Sequence, residues 1–162
     1  MRCAVRCVQT KAELKTFIRW PHQLYRHDPI WVPPLDLDEW NTLYPRWKEE
    51  GQVKTRFLLA YQGKKIVGRV VGMAIPDDYV AGNLLRVRWG WLEAIDDPAV
   101  FQSLLGNIES WARELHAQVV QGPLGFSNLD KAGMLIKGFD ALPTIVELYN
   151  PLLSGPGRTI GL

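Results

Sequence analysis

The chain has 162 residues and a mass of 18.5 kDa, enough for one domain with a real core, and its formal charge is only +2. That charge gives no broad basic field for nucleic acid or an anionic membrane, and no apolar run approaches the roughly 18 residues of a bilayer span. The start, MRCAVRCVQT, lacks the apolar stretch of a signal peptide, so the expectation is a cytoplasmic protein with no membrane or nucleic-acid partner.

Residues 3–8 alternate as a first strand. Cys3 and Cys7 would then lie about 13 Å apart, too far for a disulfide. The three histidines share no ligand spacing with either thiol, and no metal site is expected. Thr10 and Glu13 form a capping box that opens a helix carrying Leu14, Phe17 and Ile18. Pro21 is expected to kink or end it, with a further turn through Leu24 and Tyr25. A proline-rich connection follows, and Asp36 with Glu39 predicts a second capping box for a short helix through Leu43.

Residues 57–61 and 65–75 read as two strands joined by Gln62-Gly63-Lys64. Gly68 and Gly72 weaken the second strand, which implies that a helix, another backbone or a ligand packs close, helix packing first. Asp77 and Asp78 mark a turn. Leu85, Val87, Trp89 and Trp91 then alternate with Arg86 and Arg88, as in a strand with one buried and one solvated face. A basic-aromatic stripe can also stack single-stranded nucleic acid, which ranks second here.

The clearest helix follows. Val100, Phe101, Leu104, Leu105, Ile108, Trp111, Ala112 and Leu115 share one face, with Asp97 as cap and Pro98 at the first helical position. Residues 118–121 read as a short strand, which makes a strand–helix–strand unit closing as a parallel pair. A Gly-Pro loop from Gly122 to Gly133, a helix from Lys131 to Lys137 and a last strand near Thr144–Leu148 complete an α/β chain with a mixed sheet and helices on both faces.

This order resembles the GNAT acetyltransferase superfamily. The segments FIRWPHQLYRHDPIWVPPL, KKIVGRVVG, LEAIDDPAV, GPLGFSNLDKAGMLIKGFD and YNP are similar to those of a bacterial GNAT-like subgroup, from about Phe17 to Pro151. The resemblance implies an acyl-CoA N-acyltransferase fold over residues 1–150 and an irregular tail over 151–162, as if the C-terminus were truncated. It also implies a base at the end of the fourth long strand, where Glu93 stands, and a tyrosine acid near Tyr149.

Two departures qualify it. The superfamily grips the acetyl-CoA diphosphate with backbone amides of an Arg/Gln-x-x-Gly-x-Gly/Ala turn. Here that turn is Glu93-Ala94-Ile95-Asp96-Asp97-Pro98, with no glycine, two carboxylates at the anion position and one amide donor deleted. Charges about 4 Å apart repel by several kcal/mol at surface-like dielectric. The text after YNP also differs, and an open sheet edge near Val119 or Val146 would invite a homodimer.

The leading expectation is therefore a GNAT fold with a degenerate acetyl-CoA site that binds a small molecule or a partner. An N-acyltransferase using Glu93 and Tyr149 is the second reading, and an assembly module built on the open edge the third. The loop residues Phe126, Ser127, Asn128 and Asp130 follow the C-terminal end of a parallel strand and suit small-molecule recognition. Asp130 serves equally as an N-cap. No Gly-x-Ser-x-Gly, Walker-type or His-Glu-x-x-His motif is present.

Overall fold

A computed structural model describes residues 3–49, 51–127, 129–130 and 132–134. The elements are β1 (Cys3–Cys7), α1 (Lys11–Leu24), α2 (Asp36–Trp47), β2 (Lys54–Gln62), β3 (Lys65–Ala74), β4 (Tyr79–Val80), β5 (Leu84–Ala94), α3 (Pro98–Glu114) and β6 (Val119–Gln121). The sheet runs β1-β2-β3-β5-β4, all antiparallel, and β6 joins β5 in parallel. The parallel strand–helix–strand unit is thus present, and the architecture is α/β as expected. The last strand near 144–148 lies outside the described residues.

Apolar side chains fill both faces of the sheet. One layer, with Leu58, Val67, Val70, Val87, Leu92 and Ala94, packs under Val100, Leu104, Ile108 and Trp111 of α3. The other, with Phe57, Leu59, Val71 and Met73, packs under Leu14, Phe17, Ile18 and Leu43 of α1 and α2. Gly68 and Gly72 admit α3. A Cβ on Gly68 would stand 2.9 Å from both Leu104 Cδ1 and Val100 Cγ1, and one on Gly72 would stand 2.7 Å from Ile108 Cδ1. Helix packing, not a ligand, explains these two glycines.

Three local expectations are corrected. The Thr10–Glu13 box forms, and Pro21 does not end α1: the further turn expected through Leu24 and Tyr25 continues the same helix, which runs to Leu24 with Tyr25 as its C-cap. At the start of α2 no side-chain cap forms. Asp36 instead accepts from Arg19 Nε at 2.8 Å and meets His22 Nε2 at 2.9 Å, which ties the two helices together. Finally, α2 passes Leu43 and Pro45 to end at Trp47, whose indole N–H donates to the Val8 carbonyl. Among the described residues no helix is long and apolar enough to cross a membrane.

Candidate functional site at the β5 bulge and the start of α3

Asp97 is the N-cap of α3, and its Oδ1 accepts from the Ala99 amide at 3.0 Å. Gln62 Nε2 donates to the other oxygen at 3.1 Å. Pro98 has no amide hydrogen to offer. The donors that a helix N-terminus presents to an anion are therefore partly removed and partly occupied by the chain's own carboxylate.

On the opposite face of the sheet, β5 carries a bulge against β3. Arg69 pairs with Glu93 and Val71 with Gly90, so β5 has one extra residue in between. Trp91 takes it up with φ of 50°, an uncommon conformation for a bulky side chain. Its indole N–H donates to Glu39 Oε2 at 3.0 Å, and its ring meets Phe126 at 5.4 Å.

Beside the bulge lies a buried polar cluster. Arg69 is 3% exposed although it sits in the middle of an apolar strand. Its Nε and Nη2 both reach Glu93 Oε2 at 2.6 Å, and its Nη1 donates to the Phe17 carbonyl at 2.8 Å. Proline supplies that acceptor: Pro21 has no N–H, so the Phe17 carbonyl has lost its helical partner and takes the guanidinium instead. The Phe17 ring lies 5.0 Å below the guanidinium carbon. Glu93 is consequently a buried, paired carboxylate and not a solvated strand end. Tyr25, at the end of α1, completes the group. It is 4% exposed, and its hydroxyl stands within reach of the Glu93 carboxylate. Burial, then the neighbouring Glu93 charge, raises its pKa far above the usual phenol value, so it stays protonated.

The loop after β6 is only partly as expected. Phe126 packs between Trp91 and the Arg46 guanidinium, 5.2 Å from its ring centre. Asp130 Oδ2 accepts from the Ser127 amide at 2.7 Å and its hydroxyl at 3.2 Å, and Ser127 Oγ accepts from the Leu129 amide. Asp130 therefore closes a turn backwards rather than capping a helix forwards. Residues 132–134 are not helical, and Gly133 has φ of 92°, which corrects the helix expected from Lys131 to Lys137 at the described positions. Asn128 and Tyr149 lie outside the described residues. Phe126 reaches β5 two residues from Glu93, whereas the polar groups of Ser127 and Asp130 bond to one another.

Arg86 and Arg88 are both held by Asp78, which is 8% exposed. Hydrogen bonds from Arg88, followed by those from Arg86, pull the Asp78 carboxyl down to about 2 despite its burial. Among the described residues no group of three His, Cys, Asp or Glu could hold a metal. Sequence reasoning missed Arg69 and Tyr25. The available signal was an arginine inside the apolar run IVGRVVG and a proline inside an otherwise helical pattern.

No protein-family model matches the chain. The Bacterial ceramide synthase of Caulobacter vibrioides is 32% identical over 153 residues, which cover 92% of this chain and 39% of that protein. Protein YghO of Escherichia coli is 32% identical over 139 residues, covering 86% and 36% respectively. The chain thus spans under two fifths of the length of these curated relatives. Glucosamine-6-phosphate N-acetyltransferase from Arabidopsis thaliana superimposes with a TM-score of 0.53 at 12% identity, over 86% of this chain and 100% of that one. The chain has the fold of the GNAT acetyltransferases.

Proposed function

We propose that this chain is the acceptor-recognising GNAT-fold unit of an amide-forming acyl-transfer system, and that α3 does not take the diphosphate of acetyl-CoA. The observation that carries it is the self-capped start of α3, where Asp97 occupies the Ala99 amide and Pro98 lacks one. A GNAT fold without that anion grip retains its other asset, the stretch of β5 that bulges beside the paired Glu93. The amine acceptor is supported by the likeness to a protein named Bacterial ceramide synthase, since a ceramide is an amide.

Calorimetric titration tests both halves. Octylamine is expected to bind saturably, and acetyl-CoA at millimolar concentration to give neither heat nor thermal stabilisation. Tight acetyl-CoA binding would remove the reading.

The second reading is an N-acyltransferase that is active in itself, with Glu93 as the base and Tyr149 as the acid. It is favoured by the position of Glu93, which Arg69 holds fixed on β5 beside the bulge. Formation of N-octylacetamide and free coenzyme A from acetyl-CoA and octylamine that disappears in Glu93→Gln would select it.

A further inference from the structure

β1 closes one end of the sheet, and among the described residues no strand pairs with its outer side. Its bonds toward β2 come from alternate residues. The Val8 amide donates to the Phe57 carbonyl at 2.8 Å, and the register runs back through Arg6 opposite Leu59 and Ala4 opposite Tyr61. Antiparallel bonding alternates along a strand, so the N–H and C=O groups of Cys3, Val5 and Cys7 point away from the sheet. Such a row is a template for another strand, and β1 lacks the usual guards: it has no proline, no lysine and no bulge against β2. On the opposite side of the sheet, β6 offers only the three residues Val119–Gln121.

We propose that β1 pairs antiparallel with β1 of a second copy of this chain, about a two-fold axis at Val5, so that one continuous sheet crosses a homodimer.

The text CAVRC selects that occupant because it is self-complementary. With Val5 opposite Val5, Cys3 of each copy faces Cys7 of the other, and Ala4 faces Arg6. Cys3, Val5 and Cys7 each exchange their outward N–H and C=O with the other copy. No cation then stands directly opposite a cation, and each Arg6 lies over its own Tyr61 ring, 5.2 Å from the centroid. Sliding the pair by two residues one way sets Arg6 opposite Arg6, which like-charge repulsion opposes. Sliding it the other way leaves Cys7 without a partner. Cys3 and Val5 already pack against the apolar layer under α3, whereas Cys7 is exposed, so the two-fold pairing extends that layer over the exposed thiol.

Thiol cross-linking reads this register. Cys3 and Cys7 of one chain stand about 13 Å apart, but Cys3 of one copy and Cys7 of the other come within about 5.5 Å at their Cα atoms. An ethylene-linked bis(methanethiosulfonate) is too short to join the two thiols of one chain. Each thiol that reacts displaces one methanesulfinate and forms a disulfide to the linker. The expected result is a light-scattering mass of twice one chain at high micromolar concentration, and a covalent dimer on adding the reagent. Cys3→Ala alone and Cys7→Ala alone should keep the doubled mass and lose the cross-link, because like thiols lie about 13 Å apart across the axis. Co-expression of the two variants should restore the cross-link in the mixed dimer. A mass of one chain overturns the proposal. A dimer that cross-links through Cys7 alone overturns it as well, since that needs another register, and a dimer that never cross-links uses another surface.

Discussion

Arg69 concentrates most of what a single side chain decides here. It is a cation in the central strand, and it joins Glu93 on β5 to the carbonyl that Pro21 strands in α1. Removing one member of such a buried pair leaves the other charge uncompensated, whereas replacing both with apolar or neutral groups can be nearly neutral. Arg69→Ala is therefore expected to lose about 3–5 kcal/mol in urea unfolding. The pair Arg69→Met with Glu93→Gln should recover most of that loss. If the single and double variants were equally unstable, the ion pair would not be the source of the effect. The sequence showed Glu93 as a strand-end carboxylate because its neighbours in the text are ordinary. Its partner lies 24 residues away across the sheet, and local patterns carry no trace of that register.

At the scale of the element, α3 was the most legible part of the chain. Its apolar positions, its Asp97 cap and Pro98 at its start all appear as the pattern requires. Each is a local property: a 3.6-residue period, an Asx cap, a missing N–H. Where tertiary contacts outweighed local preference, the text misled. Pro21 sits within α1 because Arg69 satisfies the carbonyl that proline frees. Asp36 leaves its expected capping role for Arg19 and His22. The close approach of α3 to β3 gives a second prediction. Gly72→Val must displace Ile108 and Trp111, both buried, and should cost about 1–3 kcal/mol, more than Gly72→Ala. Denaturation midpoints would check the order. Asp97→Ala removes the acceptor shared by the Ala99 amide and Gln62 Nε2 and should cost about 1 kcal/mol, read from the denaturation midpoint.

For the molecule as a whole, the strongest pH-dependent tie is Asp78, which holds Arg86 and Arg88 and so fastens the short β4 to β5. Its pKa is about 2 when folded, against about 3.9 in an unfolded chain. The folded value is depressed, so the stabilisation is complete above about pH 4 and is lost as pH falls through about 2. It amounts to something on the order of 2 kcal/mol. Asp78→Asn should therefore be less stable than the wild type at pH 6, and the gap should narrow between pH 4 and pH 2. A constant gap across that range would place the stabilisation elsewhere. The order of elements through β6 was readable in advance, except the two-residue β4, because it follows from alternation, helical period and the strand–helix–strand unit. The candidate site was not, since it assembles Tyr25, Arg69 and Glu93 from three separate elements.

The central claim is that the start of α3 is closed to the diphosphate of coenzyme A, and backbone amide chemical shifts report on it directly. With acetyl-CoA added to millimolar concentration, the signals of Ala99, Val100 and Phe101 should stay where they are. A saturable shift centred on those three amides would mean that the diphosphate displaces the Asp97 carboxylate, and would contradict the account.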